Sequence, residues 1–273
     1  MPTADLTTVA NVKDWTEIAN TKDDGLLARL IRASSGAVMV YLNRRNLLTA
    51  TYTESYPGNN SDRLVLPNYP VVSVSALSIS GQAIQKSPDR IQPGYFVDSD
   101  GFSVGLAQTY YVNTVYSSIP YKFYRGSVVD ITYTAGYQVT AQDVVPSDDA
   151  EPHSLTPLLG GTAMVDLGVV YSDTGQALAP VATAPSAGQY AFASGTYTFA
   201  SGDGGAGVSM TYSYVPHEIE QVVIESVARY YWRRRRQDKK SEGLAQQATT
   251  YDLSAFNESQ KAVLGNYRRI IPA

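Results

Sequence analysis

The chain holds few residues whose type and spacing could carry chemistry. Its two histidines, His153 and His217, stand far apart. His153 lies in an acidic, proline-bounded stretch, and His217 opens a helical pattern. Neither has a nucleophile or a metal-ligand partner at a recognisable spacing, so both read as exposed or capping side chains. No cysteine occurs, which excludes a disulfide framework and a zinc–thiolate centre. Gly202, Gly204 and Gly207 match the spacing of a dinucleotide-binding turn. That turn needs a helix after it, so that the helix N-terminus meets the pyrophosphate. Here Val208-Ser209-Met210-Thr211-Tyr212 follows and reads as a strand, which makes the glycines a β-turn. The carboxylate pairs Asp23/Asp24, Asp98/Asp100 and Asp148/Asp149 read as a helix start, a turn and a solvated linker, with no convergent partner for acid–base work. No cofactor or metal ion is expected, nor any catalytic residue.

The sharpest electrostatic feature is basic. Arg233, Arg234, Arg235 and Arg236 run consecutively, with Arg229, Lys239 and Lys240 nearby. Four successive arginines cover more than one side of a helix, so packing alone does not account for them. They read as a contact surface, for an acidic protein partner ahead of DNA phosphates. The bland alternative is a solvated helix end, where positive charge suits the macrodipole.

The elements that position these residues follow from the periodicity. Val9, Val12, Trp15 and Ile18 predict a first helix with one apolar face, capped by Thr7 or Thr8. Asp23-Asp24 predicts the start of a second, with Leu26, Leu27, Leu30, Ile31, Ser34, Val38, Tyr41 and Leu42 as its stripe and Asn43-Arg44-Arg45 at its end. From Leu47 the period changes to two. Strands are expected at 47–53, 63–67, 71–79, 95–97, the Tyr110 to Tyr124 region and 128–134, forming one antiparallel meander. Pro216 predicts a third helix, whose acids come first and arginines last. A polar linker at 239–250 and a weaker amphipathic segment with Leu253, Phe256, Val263, Leu264 and Tyr267 close the chain.

Between about 139 and 214 the composition shifts to Gly, Ala, Ser, Thr and Tyr. After Asp148-Asp149-Ala150-Glu151-Pro152 the stretch has no lysine or arginine at all. Candidate strands at 163–171, 177–181, 189–193, 196–199 and 208–214 predict a small inserted β domain whose two ends lie close together. The fold class is therefore α+β: a small helical bundle of two N-terminal helices plus one near the C-terminus, an antiparallel β-sheet, and an inserted all-β sandwich or barrel. The divisions expected are 1–138 for the core, 139–214 for the insert, 215–236 for the completing helix and 237–273 for a C-terminal tail.

The 273 residues carry 21 Lys and Arg against 25 Asp and Glu, for a net charge of -4. That balance excludes neither a nucleic acid nor a protein partner, and local clusters matter more. Tyrosine, with 21 copies, suits pleated faces and contact surfaces. No basic start followed by an apolar run opens the chain, and no stretch is expected to approach the roughly 20 apolar residues that span a bilayer. A soluble, non-secreted chain without a membrane partner is the expectation.

One arrangement of segments is distinctive. Asp5-Leu6-Thr7, Val12-Lys13-Asp14-Trp15 and Asp23-Asp24 lead into a helix ending Val40-Tyr41-Leu42-Asn43-Arg44. Leu66-Pro67-Asn68-Tyr69-Pro70-Val71-Val72-Ser73-Val74 follows, then Val129-Asp130-Ile131-Thr132-Tyr133-Thr134-Ala135-Gly136-Tyr137, then a Pro-headed helix with Tyr230-Tyr231-Trp232-Arg233-Arg234. Over 5–137 and 215–236, and loosely to 273, this resembles the head–tail connector proteins of long-tailed phages, also called adaptor or head-completion proteins. The long insert departs from that pattern. The resemblance implies a virion protein at the capsid–tail junction, assembled in the bacterial cytoplasm as a homo-oligomeric ring with twelve-fold symmetry. It implies the portal protein on one side, a tail terminator or stopper on the other, and double-stranded DNA passing through. It also implies portal docking by the C-terminal segment, which makes Tyr251, Leu253, Phe256, Tyr267, Arg268 and Arg269 contact candidates. Another neck or tail ring, a nucleic-acid-binding protein using the Arg-rich helix end, and a β-rich carbohydrate-active or carbohydrate-binding module remain alternatives.

Overall fold

The computed structural model describes residues 5–107, 122–146, 153–155, 163–193, 195–234, 241–244, 247–250 and 256–269. Two helices come first, α1 (Val9–Thr16) and α2 (Asp24–Leu42). Thr8 caps α1 by accepting from the Asn11 amide, one of the orphan donors of its first turn. Val12 is buried, whereas Trp15 is exposed. A spacing of three lags the 3.6-residue turn by about 60° a step, so Trp15 rotates off the face that Val12 presents. In α2 the expected stripe holds at Leu27, Ile31, Ser34, Val38 and Leu42, and Ser35 and Met39 widen it. Asn43 stops the helix in the left-handed region, φ 53°.

The expectation about bilayer-length segments needs correction for α2. Its 19 residues reach a mean hydropathy of 1.3, long and apolar enough by length and composition to cross a membrane. Gly25, Ala28, Ala33 and Gly36 dilute the polarity between the leucines, so the count of strictly apolar residues underrates it.

Strands follow in the order β1 (Ala50–Pro57), β2 (Arg63–Val65), β3 (Val71–Ile79), β4 (Gln82–Ala83), β5 (Gly94–Val97), β6 (Ser103–Ala107), β7 (Val128–Ala135) and β8 (Gln138–Val144). Up to β7 they belong to one of two compact units, Leu47–Gln138 with Arg269–Ala273. The pairing is antiparallel but not a meander. The sheets run β1-β7-β3-β4 and β2-β6-β5, so β7 lies between two strands that come far earlier in the chain. Alternation along each strand was readable; which strand pairs with which was not, because β7 alternates apolar and polar residues as either neighbour would require. The first strand also starts at Ala50 rather than Leu47, because Leu47 and Leu48 are both buried and break the alternation.

Both sheets of this unit feed one aliphatic cluster, including Leu64, Leu66, Leu77, Val104, Leu106, Val129 and Ile131. Each such side chain contributes about 1.5–3 kcal/mol by leaving water. The two strand signatures of the sequence meet here. Val71 pairs with Ala135, and the Gly136 amide donates to the Pro70 carbonyl at 2.9 Å. Gly136 has φ 139°, and a Cβ there would come within 2.6 Å of the Leu48 carbonyl, so the Ala-Gly-Tyr step admits only glycine.

The second unit comprises Met1–Asn46 and Val139–Arg268. Its β part adds β9 (His153–Leu155), β10 (Ala163–Tyr171), β11 (Ala179–Val181), β12 (Gln189–Ala193), β13 (Thr196–Phe199) and β14 (Val208–Tyr214). One sheet runs β10-β14-β8 and the other β11-β12-β13-β9. Strand β8, which the sequence reading passed over, therefore lies beside β14, and the segment starts and ends in neighbouring strands. Val169, Leu178, Tyr190, Tyr197, Phe199, Val208, Met210 and Tyr212 from both sheets form one buried cluster. Helix α3 (His217–Arg233) follows, then β15 (Ser241–Leu244) and β16 (Gln247–Thr250), an antiparallel pair where a polar linker was expected, and α4 (Glu258–Gly265). Helix α3 packs on α1 and α2, and α4 packs on α2 and α3. The whole is α+β.

Candidate interaction surface

The glycine-rich stretch at 202–207 is a turn. Ser201–Asp203 forms a short 3-10 helix and β14 follows. Asp203 is buried and accepts from the Tyr171 hydroxyl at 2.6 Å and the Gly188 amide at 3.1 Å. That bond to Asp203, ahead of burial, pushes the Tyr171 phenol up to about 12. Asp98 and Asp100 likewise hold a turn: Asp98 accepts from Ser103 at 2.7 Å and pairs with Arg63 at 2.8 Å, while Asp100 accepts from the Phe102 amide. Asp148 and Asp149 lie outside the described residues. His217 is exposed at the start of α3. Among the described residues no grouping of histidine and carboxylate side chains suits a metal ion.

What remains is the helical bundle and its end. Several polar groups of its interior are matched across long separations. Glu220, in the first turn of α3, is buried and accepts from Thr7 at 3.0 Å and Asn11 at 2.7 Å. Charge order alone had assigned it only to the helix dipole. At the other end of α3, Tyr231 donates to Asp23 at 2.6 Å, and Arg234 reaches the same carboxylate at 3.1 Å while its guanidinium lies 4.1 Å from the Tyr231 ring centre. The Arg234 guanidinium, then the Tyr231 hydroxyl, hold the Asp23 carboxyl below its ordinary range. So Asp23, read from sequence as a helix start, ties the beginning of α2 to the end of α3.

The basic cluster is thus divided. Arg234 serves the bundle, and Arg229 donates to Gln260 of α4 at 2.9 Å. Arg233 is half-buried. Arg235, Arg236, Lys239 and Lys240 lie outside the described residues. Beside them Trp232 is 51% exposed, its ring set edge-on to Tyr231 at 5.1 Å.

The C-terminal candidates are divided as well. Tyr251 and Leu253 lie outside the described residues. Phe256 is buried, edge-on to Tyr41 of α2 at 5.6 Å. Asn257 and Gln260 close a capping box at the start of α4, and the buried Gln260 also donates to Glu225 at 2.9 Å. Tyr267 donates to Glu218 at 3.0 Å, and its carbonyl accepts from Arg44 at 2.9 Å. Arg268 is exposed 5.9 Å from the Tyr41 ring centre, and Arg269 is half-buried. The weak apolar pattern of this segment undervalued it, because Gln260 and Asn257 do with hydrogen bonds what the pattern sought in leucines.

Residues 5–146 match the family model described as head completion protein. The match runs from before α1 through β8, so it takes in α2 and the strand pair that carries the Pro-Val-Val and Ala-Gly-Tyr signatures. No curated protein matches the chain.

Proposed function

The chain belongs to the head completion protein family, and on that premise we propose that it forms a ring joining the DNA-filled capsid of a long-tailed phage to its tail. Its role is structural, in completing the phage head, and the reading assigns it no catalysis. The family match over 5–146 is the observation that carries this. The ring has twelve-fold symmetry, stands between the portal and a tail terminator or stopper, and lets double-stranded DNA pass. A closed ring needs a heterologous contact, two different surfaces of one chain meeting head to tail.

Within that reading 1–138 and 215–236 form the connector core, 139–214 is an inserted module, and 237–273 docks on the portal. Tyr267, Arg268 and Arg269, with Tyr251 and Leu253, make the contact, while Phe256 holds α4 to the bundle from beneath. The basic end of α3 meets protein rather than DNA. With Arg229 engaged by Gln260 and Arg234 by Asp23, fewer of its cations remain to release counterions from a duplex.

Native mass spectrometry of the purified chain, alone and mixed with portal, tests the ring. Rings in solution, or subunits that assemble only on the portal, are expected. A chain that stays monomeric and ignores the portal overturns the proposal. Arg268→Glu with Arg269→Glu tests the docking: portal binding falls while α4 stays in place, and undiminished binding moves the contact elsewhere.

A further inference from the structure

The chain has two tryptophans, and both are more than half exposed, Trp15 at 55% and Trp232 at 51%. They belong to one end of the helical bundle. Lys13, two residues before Trp15, pairs with Asp24 at 3.0 Å, and the adjoining Asp23 binds Tyr231 and Arg234, which flank Trp232. Trp232 also rests edge-on against a ring that is itself anchored. Its neighbour Tyr231 is pinned by Asp23 at the hydroxyl and covered by Arg234 on the ring. An aromatic side chain fixed before binding loses little freedom when a partner covers it, and Trp with Arg is the usual composition of an interface centre.

The sequence supplies a partner of charge opposite to the arginine run, Arg233 to Arg236, that follows Trp232. Residues 139–214 carry seven acids and no lysine or arginine, while the rest of the chain has the other 18 acids against all 21 bases. Two of the seven, Asp166 and Asp203, are engaged by tyrosine hydroxyls. Asp143 and Asp173 are exposed close together, since Ser172 donates to Asp143 at 3.1 Å. The same module shows apolar surface: Val165 and Leu167 lie on one face of β10, 40% and 43% exposed.

We propose that the bundle end bearing Trp15, Trp232 and Arg233 docks the acidic 139–214 module of a second copy of this chain. This rests on the ring reading, for which it supplies the two unlike surfaces that head-to-tail closure requires. Opposite charge orients the approach and fixes which surfaces meet, and the tryptophans supply the area that water leaves.

The test uses the full chain, assembled alone or on portal, with sedimentation as the readout and circular dichroism to confirm the fold. Trp232→Ala and Trp15→Ala each weaken association between copies about tenfold or more. Arg233→Glu weakens it, Asp143→Lys with Asp173→Lys weakens it, and all three changes together restore part of the loss. Added salt weakens the wild-type contact and that of the restored variant to a like degree. Rings that form as readily with Trp232→Ala and with the charge variants overturn the docking while leaving the ring intact. So does a Trp232→Ala chain that loses portal or DNA binding but still associates with itself. A wild-type chain that never associates, with or without portal, overturns the ring reading and this contact together.

Discussion

The two β regions solve the same packing problem with different side chains. In the strands of 47–138 the core is mainly aliphatic, and a single carboxylate, Glu54, takes the hydroxyls of Tyr56 and Tyr133 with Asn68 beside them. Residues 139–214 have few large aliphatics and bury Tyr190, Tyr197, Phe199 and Tyr212 in one cluster. A phenol brings a hydroxyl wherever its ring is buried, and that hydroxyl must be bonded. Asp166 accepts from Tyr190 at 2.5 Å and Tyr197 at 2.9 Å, Asp203 from Tyr171, and Gln142 from Tyr212 at 2.5 Å. A bulge between Asp166 and Gly168 lets the edge strand β10 aim that carboxylate inward. The difference teaches that a tyrosine-rich sequence can be read as a core only together with its acids.

That contrast is open to direct attack. Ile131→Ala in the aliphatic core is expected to cost about 3–4 kcal/mol, lost transfer of the side chain plus the cavity left behind, by urea unfolding. Asp166→Ala is expected to cost about 2–4 kcal/mol, because two buried hydroxyls lose their acceptor at once, and hydrogen exchange should place the loss in 139–214. A cost under about 1 kcal/mol would mean that water replaces the carboxylate and that the phenol core is less dry than described. Asp203→Ala follows at about 1–3 kcal/mol, through Tyr171 and Gly188.

Alkali sharpens the comparison further. Burial, then the bond to Asp166, raises the phenols of Tyr190 and Tyr197 above their ordinary value, and the bond to Asp203 raises Tyr171 to about 12. A folded-state pKa above the unfolded one means that the folded chain holds its proton longer. Stability is then full below pH about 10 and falls as pH rises toward 12 and beyond. Near-ultraviolet dichroism should show the module's tyrosine signals decaying in that window. The smallest effect is expected at Asp23→Asn, which loosens the α2–α3 tie. Asp23 titrates below its usual range, so its contribution is present above pH about 4 and fades as pH falls. At neutral pH the change should be small and shrink further in added salt, since both side chains of the pair still reach water.

Much of the architecture was legible in the residues. The α2 stripe, the Pro216 helix start and five strands of 139–214 followed from period and punctuation. Strand β8 was missed because Thr140, Ala141, Gln142 and Asp143 carry no apolar alternation, and Ala141 even takes a positive φ. The central place of β7 was missed because pairing partners are set by tertiary contact. The same reason hid the bundle's polar ties. Glu220 meets Thr7 across 213 residues and Tyr231 meets Asp23 across 208, distances at which a single sequence offers no pattern. Of the basic residues singled out at the end of α3, Arg229 and Arg234 turn to partners within the bundle, because a guanidinium within reach of an amide or a carboxylate turns to it rather than to water.

The adjacency of β8 and β14 has a consequence for how such a chain changes over generations. Hydrogen-bonded strands lie about 4.8 Å apart, so the chain enters and leaves residues 139–214 at nearly one point. A gene segment coding for a different module could be exchanged there by recombination, with the flanking helices and strands keeping their register. For a phage this would make such a virion component a place where new surface is acquired piecemeal, and for the laboratory it marks a position at which to display a foreign domain.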